Sequence, residues 1–136
     1  MNTKIIAPHL RRINEHLCTI EQLTMDVRLD PMLAQLPAVL LERQNLLGEI
    51  ALCIAALNAI DVAWNTRWYA DRECAALMQE KKDLVAAIAA ADSAIAVMGQ
   101  RRMDAITTEL NTMQKTSHAA RQYASSSNVG YARFAS

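Results

Sequence analysis

Aromatic residues are scarce in this chain. Six occur among 136 residues, so a core built on stacked rings is excluded. Glycine and proline number three each. Sheets joined by tight turns need more punctuation than that, so an all-β or mixed fold is not expected. Net charge is also missing, since 14 basic residues balance 14 acidic ones. Nothing global therefore points to nucleic acid or to an acidic membrane surface. The three cysteines, Cys18, Cys53 and Cys74, are widely spaced and form no CxxC pair. They read as free thiols in a reducing, cytoplasmic setting, packed as small hydrophobes. No long apolar run is present. The most apolar stretch, LVAAIAAADSAIAVMG, is interrupted by Asp92 and Ser93, so no membrane insertion is expected. The opening MNTKIIAPHLRR has no continuous apolar segment of the secretory kind.

Chemistry-bearing motifs are missing as well. His9 and His16 stand seven residues apart, whereas metal pairs on one helix use a spacing of three or four. No Glu-x-x-His pattern of a di-iron bundle and no glycine-rich phosphate loop is present. His118 is followed by Arg121, as in phosphotransfer bundles, but Gln122 holds the place a glycine would take there. No GxSxG elbow occurs, and no acid lies near His118. The sequence thus offers no catalytic, cofactor-binding or metal-binding residue, and a non-enzymatic role carried by surfaces is expected.

What is present is hydrophobic periodicity. The composition is 52% hydrophobic, enough to bury a core of Ala, Leu, Ile, Val and Met. Ile6, Leu10, Ile13, Leu17, Ile20, Leu23 and Val27 recur at steps of three and four, one face of a first helix. Pro8 lies in its first turns, where proline is tolerated. Asp30 and Pro31 read as the cap and first residue of a second helix. Pro37 then either kinks that helix or marks a later start. Leu33, Leu36, Leu40, Leu47, Ile50, Ile54 and Leu57 are expected to form its buried stripe. In IDVAWNTRW, Asn65 and Thr66 can cap a third helix, with Asp71 and Glu73 suiting its first turn. Its stripe runs through Leu77, Leu84, Ile88, Ala91, Ile95 and Met98. It continues as Arg102, Ile106, Leu110, Met113, Ser117 and Ala120. Eleven residues separate Ile95 from Ile106 and Ile106 from Ser117, which keeps one face aligned on a nearly straight helix. Gly99 is its weak point.

The expected fold is all-α: an elongated, coiled-coil-like antiparallel bundle of three long helices, the longest C-terminal. A single domain over 1–123 and a flexible tail over 124–136 are expected, because ASSSNVG is a poor helix former.

Two surfaces stand out. Trp64 and Trp68, with Tyr69 beside them, share a face if helical and read first as a plug at the bundle end. Met103, Ile106, Leu110 and Met113 form a stripe that shorter neighbouring helices would not cover. It serves as ordinary core, as a homodimer seam, or as a face for a partner helix, to which methionine is suited. The tail itself is unusual. It carries half the aromatics, Tyr123, Tyr131 and Phe134, and no acidic residue follows Glu109.

The layout resembles the flagellar type III export chaperones for hook-associated proteins, of the FlgN type, with the FliT type close behind. Three segments carry the resemblance: LLERQNLLGEI after a first amphipathic helix, LMQEKKDLVAAI opening a very long third helix, and AITTELNTMQKTSHAARQYASSS with its tyrosine and polar tail. The chain lacks a glycine after Tyr123 and ends in YARFAS rather than a lysine-rich end. The resemblance implies a small cytoplasmic chaperone that holds the C-terminal helical segment of a late export substrate and delivers it to the export gate. The implied substrate face is Met103, Ile106, Leu110, Met113, Ser117 and Ala120. Tyr123, Tyr131 and Phe134 would contact the gate or act as a switch. The alternative is a structural coiled-coil homodimer or scaffold.

Overall fold

The computed structural model of the chain describes residues 3–67 and 71–127. Among the described residues every regular element is a helix and there is no strand. The elements are four: α1 (Thr3–Arg28), α2 (Leu36–Ile60), α3 (Trp64–Arg67) and α4 (Arg72–Ser127). The chain divides into two compact units, Met1–Ala96 and Val97–Ser136, and the division falls inside α4.

α1 forms where the three-four periodicity predicts it. Ile6, Leu10, Ile13, Leu17, Ile20 and Val27 are buried. Leu23 is only half-buried, and the fully buried position beside it belongs to Thr24. Its hydroxyl is satisfied within the helix, donating to the Ile20 carbonyl at 2.7 Å. The helix runs through Pro8 and ends at Arg28, a cation at the negative end of the helix dipole.

The second helix starts later than Asp30 and Pro31 suggest. Asp30 organises a loop instead. Its carboxylate accepts from the Met32 N–H at 3.0 Å and the Ala34 N–H at 2.9 Å. Leu33 sits in the left-handed region at φ 53°, which helical propagation cannot pass. Pro37 therefore falls in the first turn of α2, where its missing N–H costs nothing.

The buried stripe of α2 also differs in phase from the expected one. Val39, Ile50, Cys53 and Leu57 are buried, with Leu36, Arg43 and Leu46 half-buried in register, whereas Leu40 and Leu47 are about half exposed. Steps of three and four through Leu36, Val39, Arg43, Leu46, Ile50, Cys53 and Leu57 make a regular heptad seam. Arg43 holds a seam position because it is paired. Its guanidinium donates two bonds to Asp92 of α4, at 2.7 and 3.0 Å.

Between α2 and α4 the structure inserts the one-turn α3, absent from the expected three-helix layout. Asp61 makes the break: it leaves helical dihedrals, and its carboxylate accepts from the Ala63 N–H at 3.0 Å. Asp71 rather than Asn65 or Thr66 caps the last helix, accepting from the Cys74 N–H at 2.9 Å.

The core of the first unit has two clusters. One gathers the front of α1, the back of α2, Trp64 and the front of α4, with Leu10, Ile13, Leu57 and Cys74 fully buried. The other joins Val27, Val39 and Ile95, with Leu23, Leu33 and Leu36 against it. α4 continues through Gly99 without a break. It extends four residues past Tyr123, to Ser127. Serine is only a few tenths of a kcal/mol worse than alanine in a helix, so one further turn is accommodated (about 0.5 kcal/mol per residue).

Candidate functional site

The C-terminal stretch of α4 belongs to the second unit. Three of its polar side chains donate along the helix itself. Gln100 donates to Asp104 at 2.9 Å, Thr112 to the Thr108 carbonyl at 3.0 Å, and Thr116 to the Thr112 carbonyl at 2.9 Å. These residues need no partner element. The apolar side chains on the same stretch are a different matter.

Every residue from Arg101 to Tyr123 is exposed. Met103, Ile106, Leu110 and Met113 keep 64, 46, 53 and 60% of their surface in water. They follow one another at steps of three, four and three, so a single partner helix can touch all four. Ser117 and Ala120 continue the face and are exposed too. All six expected substrate-face residues thus share one uncovered helix face. Tyr123 is 75% exposed at the end of that stretch. Tyr131 and Phe134, the other two expected gate or switch residues, lie outside the described residues.

The other aromatic patch divides the same way. Trp64 is buried in the main core cluster, its indole N–H donating to Asn58 at 2.8 Å. The Lys81 ammonium lies 5.8 Å from the ring centroid, a cation–π distance. Trp68 and Tyr69 lie outside the described residues.

The remaining titratable groups make no reactive cluster among the described residues. No group of three His, Cys, Asp or Glu side chains is placed to hold a metal there. Cys53 and Cys74 are buried, Cys18 is exposed, and all three are free. Burial, followed by its hydrogen bond with Asp71, pushes the Cys74 thiol up to about 11. Burial and then the Glu80 and Glu21 carboxylates push Cys18 up as well. Both shifts favour the neutral thiol and so oppose nucleophilic use.

Sequence reasoning missed two further apolar surfaces. α2 exposes Leu40, Leu41, Leu47 and Leu52. A shallow groove of about 400 Å³ on α4 is lined by Met78, Lys81, Lys82, Val85, Ala86 and Ala89. The signal for the first was present: α2 is apolar on nearly all sides, which leaves any one-sided packing incomplete. α4 is also the one helix among the described residues that is long and apolar enough, by length and composition, to cross a membrane.

Comparison with family models, with curated proteins and with solved structures finds no match to this chain.

Proposed function

We propose that this chain is a helix-binding chaperone of the flagellar export kind. It holds the C-terminal helical segment of a late export substrate, a hook-associated protein, against the C-terminal stretch of α4. One observation carries this reading: Met103, Ile106, Leu110 and Met113 form a continuous apolar helix face that the described chain leaves in water. Aligned anchors at three-four spacing are what an amphipathic helix recognises. Methionine at both ends makes the face adaptable to more than one substrate sequence. The kind of substrate rests on the resemblance of the three quoted segments to the FlgN and FliT types.

On this reading the first unit is an antiparallel bundle of α1, α2 and the front of α4. The Arg11–Glu73 ion pair and the Asn14 bond to the Leu77 carbonyl set the fronts of α1 and α4 side by side. Val27 and Val39, which flank the α1–α2 turn, share a cluster. Tyr123, with Tyr131 and Phe134 beyond it, contacts the export gate or switches access to the face. The protein works in the cytoplasm. Asp92 within α4 is ion-paired to Arg43, an arrangement suited to a helix packed in a water-soluble protein rather than one facing lipid.

The test is a fluorescence anisotropy titration of the full chain with a labelled peptide from the C-terminal helix of a hook-associated protein. Saturable binding, weakened at least about tenfold by Leu110→Asp with the melting temperature unchanged, is the expected result. Absence of binding by the unaltered chain removes the chaperone reading.

A further inference from the structure

The exposed face of α4 changes its chemistry beyond Met113. Ser117 and Ala120 continue the line of the stripe. Arg121 follows Met103 by eighteen residues, five full turns, and so returns to the Met103 edge of the same face. All three are exposed. Four large apolar side chains are thus followed by a hydroxyl, a methyl and a guanidinium. An apolar anchor has little to seat on there, whereas an acceptor meets the Ser117 hydroxyl and the N–H fork of Arg121.

The charge changes along with it. Arg101 and Arg102 are matched in number by Asp104 and Glu109, but no acidic residue follows Glu109. Lys115 and Arg121 have no Asp or Glu three or four positions away in either direction, the spacings at which a helix pairs its own charges. Neither makes an ion pair among the described residues. Glu109, the nearest carboxylate before Arg121 on the helix, is twelve residues earlier, roughly 18 Å along the axis. That exceeds the screening length of about 8 Å at physiological salt. The helix dipole does not account for the two cations either. Its favourable effect on cations is confined to the last turn, and the last turn of α4 holds no basic residue. The two also differ in place. Lys115 lies two residues after Met113, about 200° round the helix and on the far side from the stripe. Of the two, only Arg121 can touch what lies on the stripe.

We propose that the helix held on this stripe is acidic at one end: its apolar side chains seat on Met103–Met113, and a carboxylate following them pairs with Arg121 and the Ser117 hydroxyl. The proposal adds the chemistry of the partner to the chaperone reading and rests on that reading. A guanidinium fork matches a carboxylate in geometry as well as charge. A second copy of the same stretch does not supply this group. Laid parallel it sets Arg121 beside Arg121, and laid antiparallel over the same length it brings the Arg101–Arg102 end there.

Fluorescence anisotropy of the full chain tests this, with the hook-associated C-terminal peptide made in three versions. They differ only in the turn after the last apolar anchor, which carries two glutamates, two glutamines or two lysines. At low salt the glutamate peptide is expected to bind about three- to fivefold more tightly than the glutamine peptide, with the lysine peptide weakest, and added salt should narrow the differences. Arg121→Gln should erase the preference and Arg121→Glu should reverse it. Lys115→Glu, on the far side, should keep the original order. Helix content by circular dichroism should hold in all three variants, since both positions are exposed. Equal binding of the three peptides overturns the proposal and leaves the chaperone reading standing. A preference that survives Arg121→Glu overturns it as well. Binding of none of the three removes the chaperone reading and this proposal with it.

Discussion

Arg43 of α2 reaches Asp92 of α4 with both guanidinium nitrogens, at 2.7 and 3.0 Å, from a position inside the α2 heptad seam. The Arg43 side chain is 18% exposed and that of Asp92 43%. The pair is thus between the surface case, worth little, and the buried case, where removal of one partner is severe. Arg43→Ala is expected to destabilise by about 1–3 kcal/mol, because Asp92 keeps a half-buried charge without its fork. Replacing both residues with apolar side chains of similar size should recover most of that loss. Urea denaturation of the two single variants and the double variant checks the cycle.

Thr24 is fully buried in α1, and its hydroxyl bonds only to the Ile20 carbonyl of the same helix. Thr24→Val keeps the shape and removes a group that gains little from burial. The expected change is zero to about 1 kcal/mol of added stability. Thr24→Asp should instead cost several kcal/mol, since the new carboxylate has no partner in the seam (roughly 3 or more). Thermal melts of both variants decide this.

Leu33 holds the α1–α2 turn at φ 53° while packing against the Val27, Val39 and Ile95 cluster. A β-branched side chain is poorly tolerated in that left-handed region. Leu33→Ile, although equally hydrophobic, is expected to lose about 1–2 kcal/mol. Leu33→Met should lose less than half of that. An equal loss in both would show that packing rather than backbone conformation governs the site.

Two pH effects follow at the start of α4. Asp71 is held below its ordinary 3.8 by the Cys74 N–H it accepts. A depressed acid stabilises the fold above its ordinary pKa and loses that contribution as pH falls through the folded value, so the effect fades at acid pH, below 3.8. Cys74 is raised from 9.0 to about 11, mainly by burial. A raised thiol contributes stability that is complete below pH 9.0 and is lost as pH rises toward about 11. Stability measured against pH should fall on the alkaline side, and Cys74→Ala should flatten that limb. Thiol titration of the native protein at neutral pH should label Cys18 first, the exposed one of the three.

Leu110→Asp on the uncovered stripe should change the stability of the free chain by less than about 0.5 kcal/mol, because its side chain already lies largely in water. A loss of several kcal/mol would show that something in this chain covers the face.

The sequence by itself determined that this protein is helical and where most of its helices lie. α1 was legible nearly residue by residue, because a one-sided stripe admits one phase: Leu10, Ile13 and Ile20 are buried where periodicity puts them. α2 was not, because leucine, isoleucine and alanine occupy almost all its sides. Periodicity could not choose between Leu40 and Leu47 and the seam actually used, Val39, Leu46 and Cys53. The choice came from packing against α1 and α4, and Arg43 could enter the seam only because Asp92 was waiting on another helix. Competing caps were settled in the same way. Asp30, Asn65 and Asp71 are all able to cap, and the chain's path gave one of them, Asp71, the start of the longest helix. The stripe from Met103 to Met113 was equally plain in the sequence. Whether it would be covered was not, because a period records which residues share a face and never what lies against that face. Only the tertiary structure left it in water.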